Sequence, residues 1–142
     1  MTIRHSGTVF HWPVRVYWED TDAGGIVYYA NYLKFFERAR SEWLRSLGIN
    51  QQLLRESQGG MFVVSQADLR YRSPARLDDE LIVTTQLSDA GRAGLRLSQT
   101  ASKLRNPGPN PLLCEGTIRV GWVAESNFKP ARIPSTVLEA LK

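Results

Sequence analysis

The chain has 142 residues, 42% of them hydrophobic and 23% charged, with a net charge of +4, which predicts one globular domain rather than a disordered segment. A single cysteine excludes an intramolecular disulfide. The only histidines, His5 and His11, lie near the N-terminus, so a zinc site has almost no candidate ligands and the body of the domain has no histidine for a Ser-His-Asp apparatus. No apolar run approaches the roughly 18 residues that span a bilayer, and the N-terminus has no secretory h-region, so we expect a cytoplasmic protein.

The first predicted element is a short strand over residues 14–18, in which Val14, Val16 and Trp18 alternate onto one face. From about residue 28 to residue 47 the apolar residues recur at three- and four-residue steps instead. This spacing predicts one long helix with an apolar face, and Gly48 stands where a C-terminal cap is expected.

The rest of the chain is typical of strands joined by short turns. Short connections favour antiparallel pairing, and the helix must bury its apolar face against the resulting sheet. We therefore predict a single α+β domain over residues 1–142, with a five-stranded antiparallel sheet curled around one long helix. The open edges of such a sheet invite pairing with a second chain, which predicts a homo-oligomer. The four strand-like runs after the helix are residues 61–71, 80–88, 95–104 and 112–124.

Asp22 is the strongest candidate for chemistry. It lies between the first strand and the helix, immediately before Gly24 and Gly25, which let a backbone approach a ligand closely. The following helix start offers unpaired N–H groups that can stabilise a developing oxyanion. The alternative is that Asp22 only caps the helix or the glycine turn, and the local pattern does not decide between the two. Its neighbours Glu19 and Asp20 are interpreted as ordinary surface charge.

The remaining polar candidates are weaker. Tyr28, Tyr29 and Tyr32 are more typical of core or pocket wall than of catalytic acids. Arg92 and Arg96 are candidates for binding phosphates, or else solvated turn charges. The basic residues are dispersed among acids, which favours a mixed-charge surface over a nucleic-acid interface.

Three stretches resemble a known family. VRVYWEDTDAGGIVYYANYLKFFERARSEWLRSLGI resembles the signature of the hotdog-fold acyl-CoA thioesterases, within them the 4-hydroxybenzoyl-CoA thioesterase group, and most closely its Tol-Pal-associated (YbgC-like) branch. VVSQADLRYRSPARLDDEL is similar to the sheet segment that follows the helix in that branch, and FKPARIP to its C-terminal end. The resemblance implies a hotdog fold, protomers that pair into a continuous sheet, dimers that associate into tetramers, and active sites at the dimer interface.

The resemblance also implies roles for individual residues. The catalytic carboxylate of the family, which acts as nucleophile or as general base, falls on Asp22, and the N–H that binds the thioester oxygen falls near Tyr29. Many members of the branch carry histidine where this sequence has Tyr29, which leaves the acyl preference open. No cofactor is implied. The residues expected to contact acyl-CoA are Gly24, Gly25 and Tyr32 near the thioester and pocket, with Arg92, Arg96, Lys129 and Arg132 for the phosphates of coenzyme A.

The sequence therefore favours an acyl-CoA thioesterase that releases a free acid and coenzyme A. One alternative is a non-catalytic acyl-CoA or acyl-carrier binding protein, with peripheral membrane or Tol-Pal association in an envelope or lipid-synthesis complex. A hotdog dehydratase is disfavoured, because such sites resemble arrangements with a histidine near the central helix, where this chain has none.

Overall fold

The computed structural model describes residues 3–4 and 7–142 and forms one antiparallel sheet with three α-helices. The elements are β1 (Ile3–Arg4), β2 (Phe10–Arg15), a 3-10 turn (Trp18–Asp20), α1 (Asn31–Ser46), α2 (Gln51–Gln58), β3 (Gly60–Tyr71), β4 (Glu80–Ala90), β5 (Gly94–Lys103), β6 (Leu112–Ala124) and α3 (Ser135–Ala140). The strand order is β1/β2–β4–β5–β6–β3, in which β1 and β2 follow each other along the same edge of β4. The predicted five-stranded α+β fold is thus confirmed, with the two-residue β1 as an addition.

Helix α1 lies against one half of the sheet. It packs on β2, β4 and β5, and its 16 residues span about 24 Å. Its apolar stripe faces the sheet because the predicted three- and four-residue spacing places those side chains on one side. The buried residues of the helix are Tyr32, Phe35, Phe36, Ala39, Trp43 and Leu44.

A buried polar network ties α1 to the sheet. Gln99 of β5 is fully buried, and its Nε2 donates to the Phe36 carbonyl oxygen at 3.0 Å and to Thr85 Oγ1 at 2.8 Å. Arg40 Nη1 donates to Gln99 Oε1 at 3.0 Å, and burial lowers the pKa of Arg40, against a smaller opposing effect of Glu37. Both polar atoms of the Gln99 side-chain amide therefore have hydrogen-bond partners, as is usual for buried polar groups.

Strand β3 is an exposed edge of the sheet. Its residues Val64, Ala67 and Tyr71 pair directly with buried residues of β6 and so belong to the face on which α1 packs. They are nevertheless exposed, Val64 at 50% and Tyr71 at 47%, because α1 covers the other half of that face. An unpaired edge beside an uncovered apolar strip is the geometry that accepts a second chain.

Two predicted boundaries were wrong, and one helix was not predicted. The first strand begins at Phe10 and ends at Arg15, so Trp18 is not on its buried face but in the 3-10 turn, 81% exposed. The long helix begins at residue 31 rather than 28. The polar stretch after it is helix α2, whose signals were Asn50, which accepts from Leu53 N–H at 3.0 Å, and Gly59 with φ +65°.

No helix within residues 3–4 and 7–142 is long and apolar enough to cross a membrane. Of the two histidines, His11 is exposed on β2, and His5 lies outside the described residues.

Candidate active site

Asp22 occupies a tight turn between two short extended segments. Thr21 and Val27 form an antiparallel bridge, the Asp22 N–H donates to the Ile26 carbonyl oxygen at 2.9 Å, and the Gly25 N–H donates to the Asp22 carbonyl oxygen at 3.0 Å. Gly25 has φ +76°, a conformation that glycine adopts without steric cost. The turn therefore holds Asp22 at its first corner.

The Asp22 carboxylate is exposed but oriented. Its Oδ1 accepts from the Gly24 N–H at 2.8 Å, and a Cβ at position 24 would lie 3.2 Å from that oxygen. No described residue donates to Oδ2. Asp22 thus caps the glycine turn and does not cap α1, whose N-cap is Ala30 without a side-chain bond. One carboxylate oxygen fixes the group while the other is available to a ligand.

Asp20 has a structural role that the sequence did not predict. The surface-charge interpretation holds for Glu19, which is exposed, but is wrong for Asp20, which is 5% exposed. The 3-10 turn folds Asp20 inward, where its Oδ2 accepts from the Tyr17 N–H at 2.8 Å. Among the described residues, no group of three or more His, Cys, Asp or Glu side chains could hold a metal ion.

The backbone at Tyr29 carries N–H groups without internal partners. The preceding residue, Tyr28, is held because its N–H donates to the Asp20 carbonyl oxygen at 3.0 Å, which keeps the chain extended and delays the helix until Asn31. No oxygen in the described part of the chain accepts from the N–H of Tyr29 or of Ala30. Two donors next to the positive end of α1 are suited to a developing oxyanion.

Aromatic rings surround this backbone. The Tyr29 ring packs on Tyr28 with centroids 4.8 Å apart, and a hydrogen bond with Tyr29 raises the pKa of Tyr28. The Tyr71 hydroxyl donates to the Tyr29 carbonyl oxygen at 3.1 Å. Beneath them Tyr32 is 3% exposed, and its hydroxyl accepts from the Ala75 N–H at 3.3 Å. Tyr32 therefore supports the site from the core and presents almost no surface to a ligand.

The basic candidates lie together around the β4–β5 hairpin. The Arg92 carbonyl oxygen accepts from the Ile133 N–H at 2.7 Å, and the Lys129 carbonyl oxygen accepts from the Ala124 N–H at 3.0 Å, so the C-terminal segment runs beside the hairpin. Arg92, Lys129 and Arg132 are exposed. Arg96 forms an ion pair with Asp89 on the neighbouring strand, and Arg119, which the sequence did not single out, lies directly opposite it on β6.

The hairpin and Asp22 lie at opposite ends of the sheet. The Asp22 turn contacts the segment before β4, where Ile26 bridges to Arg76, whereas the hairpin follows the end of β4. The 11 residues of β4 separate the two ends by about 34 Å. Within one chain the structure therefore does not bring the basic candidates to Asp22.

A cavity of about 150 Å³ lies between α1 and the inner faces of β3, β5 and β6. Most of its lining is apolar, and Arg40 also lines it. The remaining polar lining is a chain in which Ser41 Oγ donates to Glu37 Oε1 at 3.0 Å and Gln51 Nε2 donates to Ser41 Oγ at 3.3 Å. Phe62 lines this cavity, whereas Phe36 is fully buried in the core. The apolar wall comprises Trp43, Leu44, Phe62, Val63, Val64, Leu95, Leu97 and Val120.

Comparison with known proteins agrees with this geometry. Residues 16–141 match the model of the Thioesterase-like superfamily. The chain is 44% identical over 131 residues to the acyl-CoA thioesterase YbgC of Haemophilus influenzae, covering 92% of this chain and 93% of that protein. It is 40% identical over 135 residues to the acyl-CoA thioester hydrolase YbgC of Escherichia coli, covering 95% and 97%.

A solved structure supports the fold. A mutant of 4-hydroxybenzoyl-CoA thioesterase, in complex with 4-hydroxybenzoyl-CoA, superposes with a TM-score of 0.88 at 16% identity, covering 94% of this chain and 99% of that one. At that identity the likeness concerns the fold alone. By the sequence match and the shared architecture, the chain belongs to the thioesterase-like superfamily and has its hotdog fold.

Proposed function

We propose that the chain hydrolyses an acyl-CoA thioester to a free acid and coenzyme A, with Asp22 as the reacting carboxylate. One observation carries the proposal: an exposed carboxylate, oriented by the Gly24 N–H, lies on the turn that leads to Tyr29 and Ala30, whose N–H groups have no acceptor among the described residues. The relatives at 40–44% identity are named acyl-CoA thioesterases or hydrolases, which supports the same activity here.

The chemistry follows from these groups. Asp22 either attacks the thioester carbonyl carbon, giving an anhydride that water then cleaves, or removes a proton from an attacking water. In both routes the carbonyl oxygen gains negative charge, and the Tyr29 N–H donates to it. Collapse of the tetrahedral intermediate expels the thiolate of coenzyme A, which takes a proton from solvent or from the protonated Asp22.

We further propose that the complete site is formed by two chains paired antiparallel across β3. The Tyr71 end of β3 is on the Asp22 side of the sheet, and its Gly60 end pairs with Ala124 on the hairpin side. Antiparallel pairing of two β3 strands exchanges these ends, so the partner's hairpin lies beside Asp22. The exposed edge and inner face of β3 support this arrangement.

The same pairing assigns the acyl group to the cavity rimmed by Glu37 and Ser41. The cavity borders the first half of β3, at Phe62–Val64, which the two-fold arrangement places beside the partner's Asp22. A cavity of about 150 Å³ has room for a ring the size of benzene. We therefore propose a short or aromatic acyl group as the preferred substrate.

Location and larger assembly are proposals of the same kind. The acyl-CoA substrate and the unpaired thiol of Cys114 support the expected cytoplasmic location. Association of two dimers into a tetramer, and contact with the membrane or the Tol-Pal system, stay predictions. Light scattering on the purified protein distinguishes dimer from tetramer.

The test is thiol release from a panel of short, long and aromatic acyl-CoAs by the wild type, Asp22→Asn and Glu19→Gln. Glu19 is the matched control, since it is an exposed carboxylate three residues away. We expect Asp22→Asn to lose roughly 10²–10⁴-fold in kcat, as for a positioned acid–base group, and Glu19→Gln to keep wild-type activity. An Asp22→Asn variant within a few-fold of wild type would contradict the proposal.

Binding measurements distinguish the proposed thioesterase from a non-catalytic acyl-CoA binding protein. If no acyl-CoA in the panel releases thiol but calorimetry detects tight acyl-CoA binding, the chain is a non-catalytic acyl-CoA binder. If thiol release is rapid and lost in Asp22→Asn, the substrate with the highest kcat/KM identifies the acyl group that fits the cavity.

A further inference from the structure

We propose that Tyr71 is a positioning residue, whose hydroxyl orients the Tyr29–Ala30 peptide so that the Ala30 N–H joins the Tyr29 N–H in binding the thioester oxyanion. The inference rests on the proposed function, in which the Tyr29 backbone is the oxyanion donor. It adds a second donor and identifies the side chain that holds it in place.

Peptide planarity links the Tyr71 hydrogen bond to the Ala30 donor. The Tyr29 carbonyl and the Ala30 N–H belong to one planar trans peptide, so they point in opposite directions. The Tyr71 hydroxyl donates to that carbonyl oxygen at 3.1 Å. The bond therefore fixes the direction of the Ala30 N–H, which has no acceptor among the described residues, away from Tyr71.

The preceding peptide is fixed in the same manner by the backbone. The Tyr28 carbonyl oxygen accepts from the Asn31 N–H at 2.8 Å. Because the Tyr28 carbonyl and the Tyr29 N–H belong to one planar trans peptide, this bond also fixes the direction of the Tyr29 N–H. Two consecutive peptides thus have anchored carbonyls and unpartnered N–H groups. Successive N–H groups of this kind form a site for an anion, and Tyr71 supplies the one anchor that comes from a side chain.

Strand pairing and two ring contacts hold Tyr71. It is the last residue of β3 and pairs with Cys114 of β6. Its ring meets Tyr29 edge-on with centroids 6.1 Å apart, and lies 5.7 Å from the ring of the buried Tyr32. Partial burial raises the pKa of Tyr71, with smaller contributions from Cys114 and Tyr29.

Tyr71→Phe isolates this role, because it keeps the ring contacts and removes the hydroxyl. Loss of a complete oxyanion donor costs about 10²–10³-fold in kcat, and a donor that is present but no longer oriented costs part of that. We expect kcat to fall roughly tenfold, with KM within about twofold of wild type and the melting temperature within about 2 °C. Tyr17→Phe is the control, since Tyr17 is 62% exposed and lies outside the site.

The outcomes distinguish this inference from the proposed function. If wild type is active, Asp22→Asn is inactive and Tyr71→Phe keeps wild-type kcat, the positioning role is overturned while the thioesterase function stands. A higher KM at unchanged kcat would instead make Tyr71 a binding residue, and a lower kcat matched by a large fall in melting temperature would make it structural. If wild type releases no thiol, the proposed function fails and the positioning role with it.

Discussion

The two ends of the sheet differ in what they offer a substrate. The turn end, defined by Asp22, Tyr29 and Tyr71, has an oriented carboxylate, unpartnered N–H groups and packed aromatic rings. The hairpin end has exposed basic side chains and no part of that apparatus. A single chain therefore separates the proposed reacting carboxylate from the phosphate-binding candidates by about the length of strand β4. The hairpin end is defined by Arg92, Arg96, Lys129 and Arg132.

Strand β3 connects the two ends and is also the exposed edge. Its last residue, Tyr71, anchors the turn end, while its first, Gly60, has so little room that a Cβ would approach the Trp122 ring to 2.6 Å. A two-fold axis through this edge would place unlike ends side by side. Each site would then combine the turn end of one chain with the hairpin end of its partner.

Mixing two defective chains gives the largest expected effect. Asp22→Asn removes the proposed reacting group, and Arg92→Ala/Arg132→Ala removes two proposed phosphate contacts, each expected to contribute about 1.5–3 kcal/mol as a hydrogen bond to a charged group. If sites combine opposite ends of two chains, the hybrid dimer has one site with both groups intact. We expect the co-expressed hybrid, purified with two different tags, to recover about half of the wild-type activity.

The matched control is a hybrid that carries both sets of substitutions on one chain and none on the other. In the two-chain arrangement each of its sites contains one defect, so it stays nearly inactive. If this control is active and the first hybrid is not, one chain supplies both groups, and the proposed pairing across β3 is contradicted.

Replacing Gly25 gives an intermediate effect at the turn end. Gly25 has φ +76° and open space around its Cβ position, so Gly25→Ala introduces backbone strain of about 1–2 kcal/mol without a clash. Relief of that strain shifts the turn that holds Asp22. We expect a lower free energy of unfolding and roughly tenfold lower kcat, measured by denaturant titration and thiol release.

Gly48→Ala is the control for strain alone. Gly48 has φ +80°, also with open space at its Cβ position, but it lies after α1 and away from Asp22. It should lose a similar free energy of unfolding and keep wild-type kcat. Equal losses of kcat in both variants would show that the Asp22 turn has no special sensitivity.

The smallest effect is expected at Cys114, which lies beneath the turn end on β6. Burial raises the pKa of this thiol to about 12, with a smaller contribution from Glu115, so thiolate is scarce near pH 8. A disulfide reagent should leave the native protein unlabelled over the time of a thiol-release assay and label one thiol after denaturation. Rapid labelling of the native protein would show that the turn end opens to solvent.

Much of the site was predictable because its signals are local. The Asp22-Gly24-Gly25 pattern predicts a turn at the glycines, and the structure has one, with Gly25 at φ +76°. The Tyr71 bond to Tyr29 and the Gln99 bond to Phe36 were not predictable, because they join residues 42 and 63 positions apart and depend on how the sheet closes over α1. Asp20 was misjudged for a different, local reason: the 3-10 turn folds its side chain inward, where it accepts from the Tyr17 N–H.

The sequence by itself determined the α+β class, the long helix and the succession of strands along the chain, because periodicity and turn residues act over a few neighbouring positions. The family followed from the resemblance of three stretches to known thioesterases. The tertiary structure decided where those elements end and what they bring together. The helix begins at Asn31 and not at Tyr28, because the Tyr28 N–H donates to the Asp20 carbonyl oxygen and keeps this segment extended. Strand pairing also placed Asp22 and the basic hairpin at opposite ends of one sheet, a separation that depends on strand direction and length and that no local pattern encodes.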